Sequence, residues 1–395
     1  MSKFLGTLIR KERLKQNFSQ EGLCQGVCAV SYLSKIEQGK AEAGDDILLP
    51  LLQRLGIEYE TDPAFLVQAE ALVEKLYENL YAGMGWTQDP EKHKTGEPLQ
   101  GMRERLLLSP YMLDALLLES HFSHIAPSLE LRDFMPCMNQ RQYEVYLMLQ
   151  VEEGSDTAAD ELLRLNPCGF HTYTVGVHFY RQGRYLEAME LLSRAYDLAA
   201  REGYVYLMCS AKIFQGNCCS DAGQLELMLD HLRVVRRLAA VLQDTDEWLE
   251  SINYNVSSTL LEWGRAEDAL ALLQGIKRRG ALYFHKLAIA LEKLGRIDEA
   301  LEALEQARTA EPDLLAREAV KEMLDLVEYR LRHPDYLRDG VYSALMECTF
   351  ATVRQTLSSG FVRFHLPYML EVLEAERRYK DAYRLSLELF PHISL

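Results

Sequence analysis

Apolar residues recur at helical spacing along almost the whole chain, and this periodicity predicts an all-α protein. Near the N-terminus the pattern breaks into four short segments. In the third, VSYLSKIEQGK, the apolar residues Val30, Leu33 and Ile36 share one face. Gly39 can supply the left-handed residue that ends this helix. We therefore expect a compact bundle of short helices, with the polar side chains of the third pointing away from the packed face.

Capping residues predict where the short helices begin. Ser19 is expected to cap the second helix, which would contain Gly22 and Gly26. Asp45 or Asp46 is expected to cap the fourth. The acidic stretch GIEYETDP then predicts a linker, followed by a helix from about residue 64 to 81. The next stretch, GMGWTQDPEKHKTGEP, has the glycines, prolines and charges of a long exposed loop.

Beyond residue 143, four segments repeat one pattern: a glycine, a small or apolar residue five positions later, and a leucine four positions after that. The glycines are Gly183, Gly223, Gly264 and Gly295, followed by Ala188, Met228, Ala269 and Ala300, and then by Leu192, Leu232, Leu273 and Leu304. A small residue also stands seven positions before each glycine. The pattern predicts helix pairs with the glycine at the corner. A fifth copy, EAERRYKDAYRLSLEL, lacks the glycine and places Ala382 at the small position.

The composition is that of a folded protein without a membrane span. Of the 395 residues, 48% are hydrophobic and 26% are charged. No window approaches the roughly 18 consecutive apolar residues of a spanning helix, and the charged N-terminus does not resemble a signal peptide, so a cytoplasmic location is expected. The eight cysteines show no C-x-x-C pair. Although Cys24 and Cys28 lie one helical turn apart, we expect packed thiols rather than a disulfide framework or a metal site.

Charge is distributed unevenly along the chain. The net charge is −16, yet the first 40 residues contain seven basic and three acidic residues, a local balance of +4. The rest of the chain therefore carries −20. A local basic patch is what contact with phosphates requires, and a distant excess of acid does not cancel it at short range.

The first 57 residues resemble the Cro/C1-type (XRE) helix-turn-helix family. The resemblance rests on Gly6 with the I-R-x-x-R run, on SQEGL, on SKIEQG and on the closing LGI. In this family the third helix enters the major groove of DNA. The candidate DNA contacts are Arg13, Gln20, Ser31, Tyr32, Ser34, Lys35 and Lys40. Each has the alternative of an ordinary solvated side chain, and Arg13 and Glu37 have the alternative of an internal salt bridge.

The region 141–395 resembles the tetratricopeptide family, with repeat spacings of 40, 41 and 31 residues around the typical 34. An N-terminal helix-turn-helix joined to such repeats is similar to the peptide-responsive quorum-sensing regulators of Gram-positive bacteria, of the Rgg, PlcR and PrgX type. That resemblance implies a right-handed α-superhelix that binds a short oligopeptide on its concave face, and a homodimer. The implied peptide-binding residues are Arg181, Phe214, Asn217, Asp221, Ser251, Tyr254, Asn255 and Lys286, and further inward positions include Tyr180, Glu262, His285 and Glu292.

Amide side chains suit a peptide ligand because they donate and accept hydrogen bonds at once, so Asn217 and Asn255 can pair with any peptide backbone. Lys286 or Arg181 can take a carboxylate. Solvated side chains without a ligand are the alternative for this set.

The organisation predicted from the sequence is a helix-turn-helix domain at 1–57, a linker at 58–63, a helical connecting region at 64–140 and the repeat domain at 141–395. No phosphate-binding loop, nucleophile elbow or metal-binding His-Glu helix points to an enzyme, and no cofactor is expected. The sequence predicts a homodimeric regulator of double-stranded DNA controlled by a peptide. Two alternatives stay open, namely repeats that hold a folded protein partner and a repressor without a ligand.

Overall fold

A computed structural model describes residues 2–84, 102–122, 129–242, 245–310, 317–357 and 359–389. The regular structure in these ranges is α-helical with two short 3₁₀ turns, as the periodicity predicts. Most of the predicted exposed loop at 83–98 lies outside the described residues. None of the helices in these ranges has the length and apolar character needed to cross a membrane.

The N-terminal bundle consists of four short helices. They are α1 (Ser2–Lys15), α2 (Gln20–Cys24), α3 (Val30–Glu37) and α4 (Asp45–Arg54). Leucines and isoleucines from all four helices form its buried core. Gly6 of α1 lies against α3, where an added Cβ would be 2.0 Å from the carbonyl oxygen of Ile36. The glycine is therefore required for the close approach of these two helices.

Capping in the bundle is partly as predicted. Ser19 does cap α2, since its Oγ accepts a hydrogen bond from the main-chain N–H of Gly22 at 2.9 Å. The predicted cap of α4 is wrong, because Gly44 is the N-cap and Asp45 and Asp46 form the first helical turn. Carboxylates at these positions still interact favourably with the positive end of the helix dipole.

Two further expectations for the bundle are wrong. Gly26 is not inside the second helix, because α2 ends at Cys24 and Gly26 follows it with a φ of +75°. Val30 was expected to pack, but it begins α3 and is 38% exposed, whereas Leu33 and Ile36 are buried. Helical spacing alone therefore overestimates the burial of this first residue of the helix.

The connecting region is helical. It comprises α5 (Pro63–Tyr81), α6 (Met112–Phe122), α7 (Leu129–Phe134), a 3₁₀ turn (Met135–Cys137), α8 (Gln140–Glu152) and α9 (Asp156–Leu165). A further helical segment spans 102–106. Asp62 caps α5, and Pro63 takes the first helical position, where its missing N–H has no cost. The helix predicted at 64–81 is confirmed.

The repeat region forms consecutive helices. They are α10 (Gly169–Arg181), α11 (Tyr185–Glu202), α12 (Val205–Asp221), α13 (Leu225–Ala239), α14 (Thr245–Glu262), α15 (Ala266–Gln274), α16 (Ala281–Lys293) and α17 (Ile297–Thr309). The glycines of the repeat stand between the first and second helix of each pair, all with positive φ between 72° and 77°. The small residues and leucines of the repeat are buried. The helix-pair prediction is confirmed.

The last helices complete the array. They are α18 (Arg317–Arg332), a 3₁₀ turn (Tyr336–Arg338), α19 (Gly340–Thr356), α20 (Ser359–Ala375) and α21 (Tyr379–Leu389). The predicted fifth copy corresponds to the end of α20 and to α21, with Ala382 buried. Arg377 takes the place of the missing glycine and has a φ of +60°.

The chain folds into two compact units. One comprises Met1–His178 and Arg194–Ser210, and the other comprises Phe179–Ser193 and Ala211–Leu395. The four-helix bundle and helices α5–α9 therefore belong to the first unit. Within it, Glu60 of the predicted linker forms an ion pair with Arg105 at 2.6 Å. The predicted domain boundaries at 57, 63 and 140 stay predictions.

Candidate functional site

Helix α3 presents a polar stripe to solvent. Leu33 and Ile36 face the core of the bundle, and this fixes the rotation of the helix. Ser31 and Lys35 then lie on the opposite side, exposed and one helical turn apart. Gln38, immediately after the helix, continues this stripe and is also exposed. The arrangement offers a hydroxyl, an ammonium group and an amide along one line.

Three other predicted DNA contacts lie next to this stripe. The half-buried Tyr32 donates its hydroxyl to the carbonyl oxygen of Glu42 at 2.9 Å, which holds the ring against the following loop. Ser34 Oγ accepts a hydrogen bond from Gln38 Nε2 at 3.1 Å. Lys40 is exposed directly after the left-handed Gly39.

Arg13 and Gln20 are committed to an internal network. The Arg13 guanidinium forms two hydrogen bonds with the Glu37 carboxylate, at 2.6 and 2.9 Å, and a third with the carbonyl oxygen of Phe18. Gln20 Nε2 donates to the same carboxylate at 2.7 Å. The partnership with Glu37 raises the pKa of Arg13. The arginine is 8% exposed. Arg13 was expected to contact a phosphate, but its guanidinium group is engaged in an internal salt bridge. This salt bridge joins α1 to α3.

Gln38 is not among the DNA contacts predicted from the sequence. It lies just beyond the segment that shows helical periodicity. It follows Ser31 by seven residues, however, and this spacing places two residues on the same face of a helix.

The second unit contains the part of the predicted inner face that lies on α12, α14 and α16, together with Arg181 at the end of α10. Two of its acidic residues, Asp221 at the end of α12 and Glu262 at the end of α14, both contact Arg363 of α20. Burial raises the pKa of both carboxyl groups, and the nearby arginine opposes this shift. The acidic positions of the inner face are thus paired within the chain.

Lys286 is the buried cation of this face. It lies in α16, is 3% exposed, and its Nζ is 3.4 Å from the ring centroid of Phe364. The rings of Tyr254 and Phe361 are each 5.6 Å from the same nitrogen. Burial lowers the pKa of Lys286 to about 7, although Glu262 opposes the shift. This lysine is enclosed by aromatic rings and not directed to solvent.

The remaining predicted peptide-binding residues differ in exposure. Asn217 of α12 and Tyr254 and Asn255 of α14 are half-buried, and Arg181 is exposed. Phe214 is buried edge-to-face against Tyr180, with ring centroids 5.4 Å apart. Ser251 belongs to α14, and its side chain is outside the described part of the chain. Two asparagines therefore remain accessible on successive inner helices.

The thiols do not form a further site. All eight cysteines are free, and Cys24, Cys209, Cys218 and Cys219 are buried. Within the described ranges, histidine, cysteine and acidic side chains form no cluster that could hold a metal ion.

The chain is similar to known proteins in its N-terminal bundle and, at low identity, over most of its length. The helix-turn-helix family profile matches residues 9–61. No curated protein matches the chain in sequence. Among solved structures, PlcR of Bacillus thuringiensis in complex with the peptide PapR7 and DNA is similar to this chain, with 16% sequence identity and a TM-score of 0.36. That similarity covers 82% of this chain and 99% of the PlcR chain.

The predicted module and its order in the chain are confirmed. Within the described residues, a helix-turn-helix bundle precedes a helical repeat region. Residues 9–61 match the helix-turn-helix family, and a helical repeat region follows this segment in the chain.

Proposed function

We propose that this protein is a homodimeric, cytoplasmic transcription regulator that binds a specific operator in double-stranded DNA and is controlled by a short signalling peptide bound on the inner face of its repeats. The observation that supports it best is the polar stripe of Ser31, Lys35 and Gln38 on α3. A helix held by its apolar side, with such a stripe outward, suits the major groove. Lys40 at the end of the helix is suited to a phosphate contact.

DNA binding is tested by titrating the full-length protein against the DNA upstream of its own gene over a series of salt concentrations. Replacing Lys35 with alanine should weaken binding and, if the ammonium contacts a phosphate, reduce the slope of the salt dependence by about one. The matched control is Lys75→Ala, an exposed lysine of α5, which should leave binding unchanged. Binding without salt or sequence dependence would contradict the proposal.

Peptide control is supported by the half-buried asparagines Asn217 and Asn255 on neighbouring inner helices. The dialysable fraction of spent culture medium should change DNA binding, and protease treatment of that fraction should abolish the effect. Asn217→Ala and Asn255→Ala should weaken the response, whereas Asn79→Ala, a half-buried asparagine of α5, should not. If a folded protein alters DNA binding and Asn217→Ala does not change that effect, the alternative of repeats that hold a protein partner is favoured. DNA binding that no fraction alters would favour the ligand-independent repressor.

Dimerisation is supported by an apolar stripe on the last described helix. Tyr379, Tyr383 and Leu387 of α21 follow one another by four residues and are 63%, 56% and 44% exposed. Exposed apolar side chains along one face of a helix suit contact with a second copy of the chain. In light scattering after size exclusion, Tyr383→Asp should yield monomers. Leu186→Asp, which changes an 87% exposed leucine of α11, should remain dimeric. A monomeric wild type would refute this interface.

A further inference from the structure

Helix α20 contributes side chains to the inner face of the repeats in the second unit. Its Arg363 contacts the ends of α12 and α14, its Phe364 covers Lys286 of α16, and its His365 stacks on His285 of α16 with ring centroids 5.7 Å apart. These contacts join residues that are far apart in sequence. Part of the face expected to bind a peptide therefore already has an occupant from the same chain.

Arg363 occupies a site with acidic walls. Its Nε lies 3.3 Å from Oδ1 of Asp221, and its Nη2 lies 2.9 Å from Oε2 of Glu262. Its Nη2 also donates to Ser220 Oγ at 2.9 Å, and its Nη1 donates to the carbonyl oxygen of Ser220. The side chains of Asp221 and Glu262 are only 4% and 14% exposed. Two carboxylates and two neutral acceptors thus converge on one guanidinium group.

In their ionised forms, the two carboxyl groups of this site are stabilised by a nearby cation. Burial favours the neutral form of Asp221 and Glu262, and the positive charge of Arg363 is the foremost influence that opposes it in both carboxyl groups. Removing one partner from such a buried group leaves an uncompensated charge, which strongly destabilises the folded state. Lys286 is a poor substitute, because its ammonium group lies over the Phe364 ring. The carboxylates therefore depend on a guanidinium or amine that enters between them.

Arg363 lies near the N-terminal end of α20. It follows the first turn of the helix, which begins at Ser359. This turn is held by the buried Val362 and by Phe361, whose ring lies 5.6 Å from Lys286 Nζ. Release of Arg363 therefore requires a local opening of the first turn. Helix ends open locally at a lower cost in free energy than the middle of a packed helix.

We propose that Asp221 and Glu262 form a recognition site for a basic side chain, arginine or lysine, of the peptide ligand, and that Arg363 is the internal occupant that this side chain displaces. The inference rests on the proposed peptide function, and it deepens that function by assigning the ligand a positive charge. Displacement would free the first turn of α20, so occupancy of the site is coupled to the position of a helix.

The first test removes the occupant and supplies a small substitute. In the full-length Arg363→Ala protein, N-acetyl-arginine amide should raise the thermal midpoint in a saturable manner, by roughly 2–4 °C. The neutral N-acetyl-citrulline amide should have no effect. The control is Arg378→Ala, which removes an arginine paired with Glu347, Glu376 and Asp381 at another location, and it should not respond. Equal effects of arginine and citrulline probes, or an equal response of the control, would overturn the proposal.

A second measurement uses the wild type, in case Arg363→Ala does not fold. Saturation with N-acetyl-arginine amide should accelerate hydrogen exchange of residues 359–366 and leave α21 unchanged, because the probe takes the place of Arg363. Unchanged exchange in that segment would overturn displacement. Neither probe is a signalling peptide, so failure of these tests leaves peptide control of DNA binding intact. Conversely, if the site responds to the arginine probe but no peptide alters DNA binding, only the proposed function is refuted.

Discussion

Individual residues show where sequence patterns mislead. Arg13 and Lys35 are both basic residues in a basic segment, and the sequence made both of them candidate DNA contacts. The structure separates them, since Arg13 is buried against Glu37 and Lys35 is exposed. The partner of Arg13 lies 24 residues away, and an ion pair at that distance depends on how two helices cross. Residue type therefore predicts the chemistry of the site, whereas the fold decides which side chains remain available for it.

Lys286 gives a prediction at this scale. Its pKa is about 7 in the folded state and 10.5 in an ordinary environment, so the unfolded chain binds more protons between these values. Stability should therefore decrease as pH falls from 10.5 to 7, by up to about 1.4 kcal/mol per pH unit. Urea unfolding across this range should show that slope in the wild type. Lys286→Met should lose it, because no ammonium remains to be buried.

The control for this prediction is Lys75→Met, which replaces an exposed lysine of α5 and should keep the slope. Other groups that titrate in this range contribute equally to both proteins, so the difference between the two variants isolates Lys286. A slope that persists in Lys286→Met would show that the lysine is already solvated.

At the scale of elements, local rules predicted most of the repeat region. A glycine after a first helix supplies the left-handed residue of the corner, and all four predicted glycines adopt it. The small residues seven positions earlier are buried where helices meet, as with Gly216, whose added Cβ would lie 3.4 Å from a Leu232 methyl group. The contacts of α20 with earlier helices were not predictable. Arg363 reaches partners 101 and 143 residues away, and no periodicity encodes such a pairing.

The corner before α21 gives a prediction for an element. Arg377 adopts a left-handed conformation that costs a residue with a Cβ roughly 1 kcal/mol relative to glycine. Arg377→Gly should therefore increase the free energy of unfolding by about 1 kcal/mol in urea titrations. Arg384→Gly, which places a glycine at an exposed position in the middle of α21, should decrease it by a similar amount. Destabilisation by both substitutions would indicate that the Arg377 side chain has a role beyond its backbone conformation.

At the scale of the whole molecule, the helix-turn-helix bundle belongs to a larger compact unit. Phe4 of α1 packs on Phe134 of α7, with ring centroids 5.4 Å apart. Lys11 pairs with Asp133 at 3.3 Å. The segment LELRDFMPCM shows no repeat and no motif, so its contact with the bundle was not predictable from the sequence. Because α1 also lies against α3 through Gly6, these contacts connect the connecting region to α3.

This connection predicts that the bundle depends on α7. Phe134→Ala should decrease the free energy of unfolding by about 3 kcal/mol, because the ring is almost fully buried. It should also accelerate hydrogen exchange in α1. Phe18→Ala, at a position 36% exposed within the bundle, should change stability by only about 0.5 kcal/mol. If exchange in α1 were unchanged by Phe134→Ala, the bundle would be stable by itself, and the presentation of Ser31, Lys35 and Gln38 would not depend on helices beyond α4.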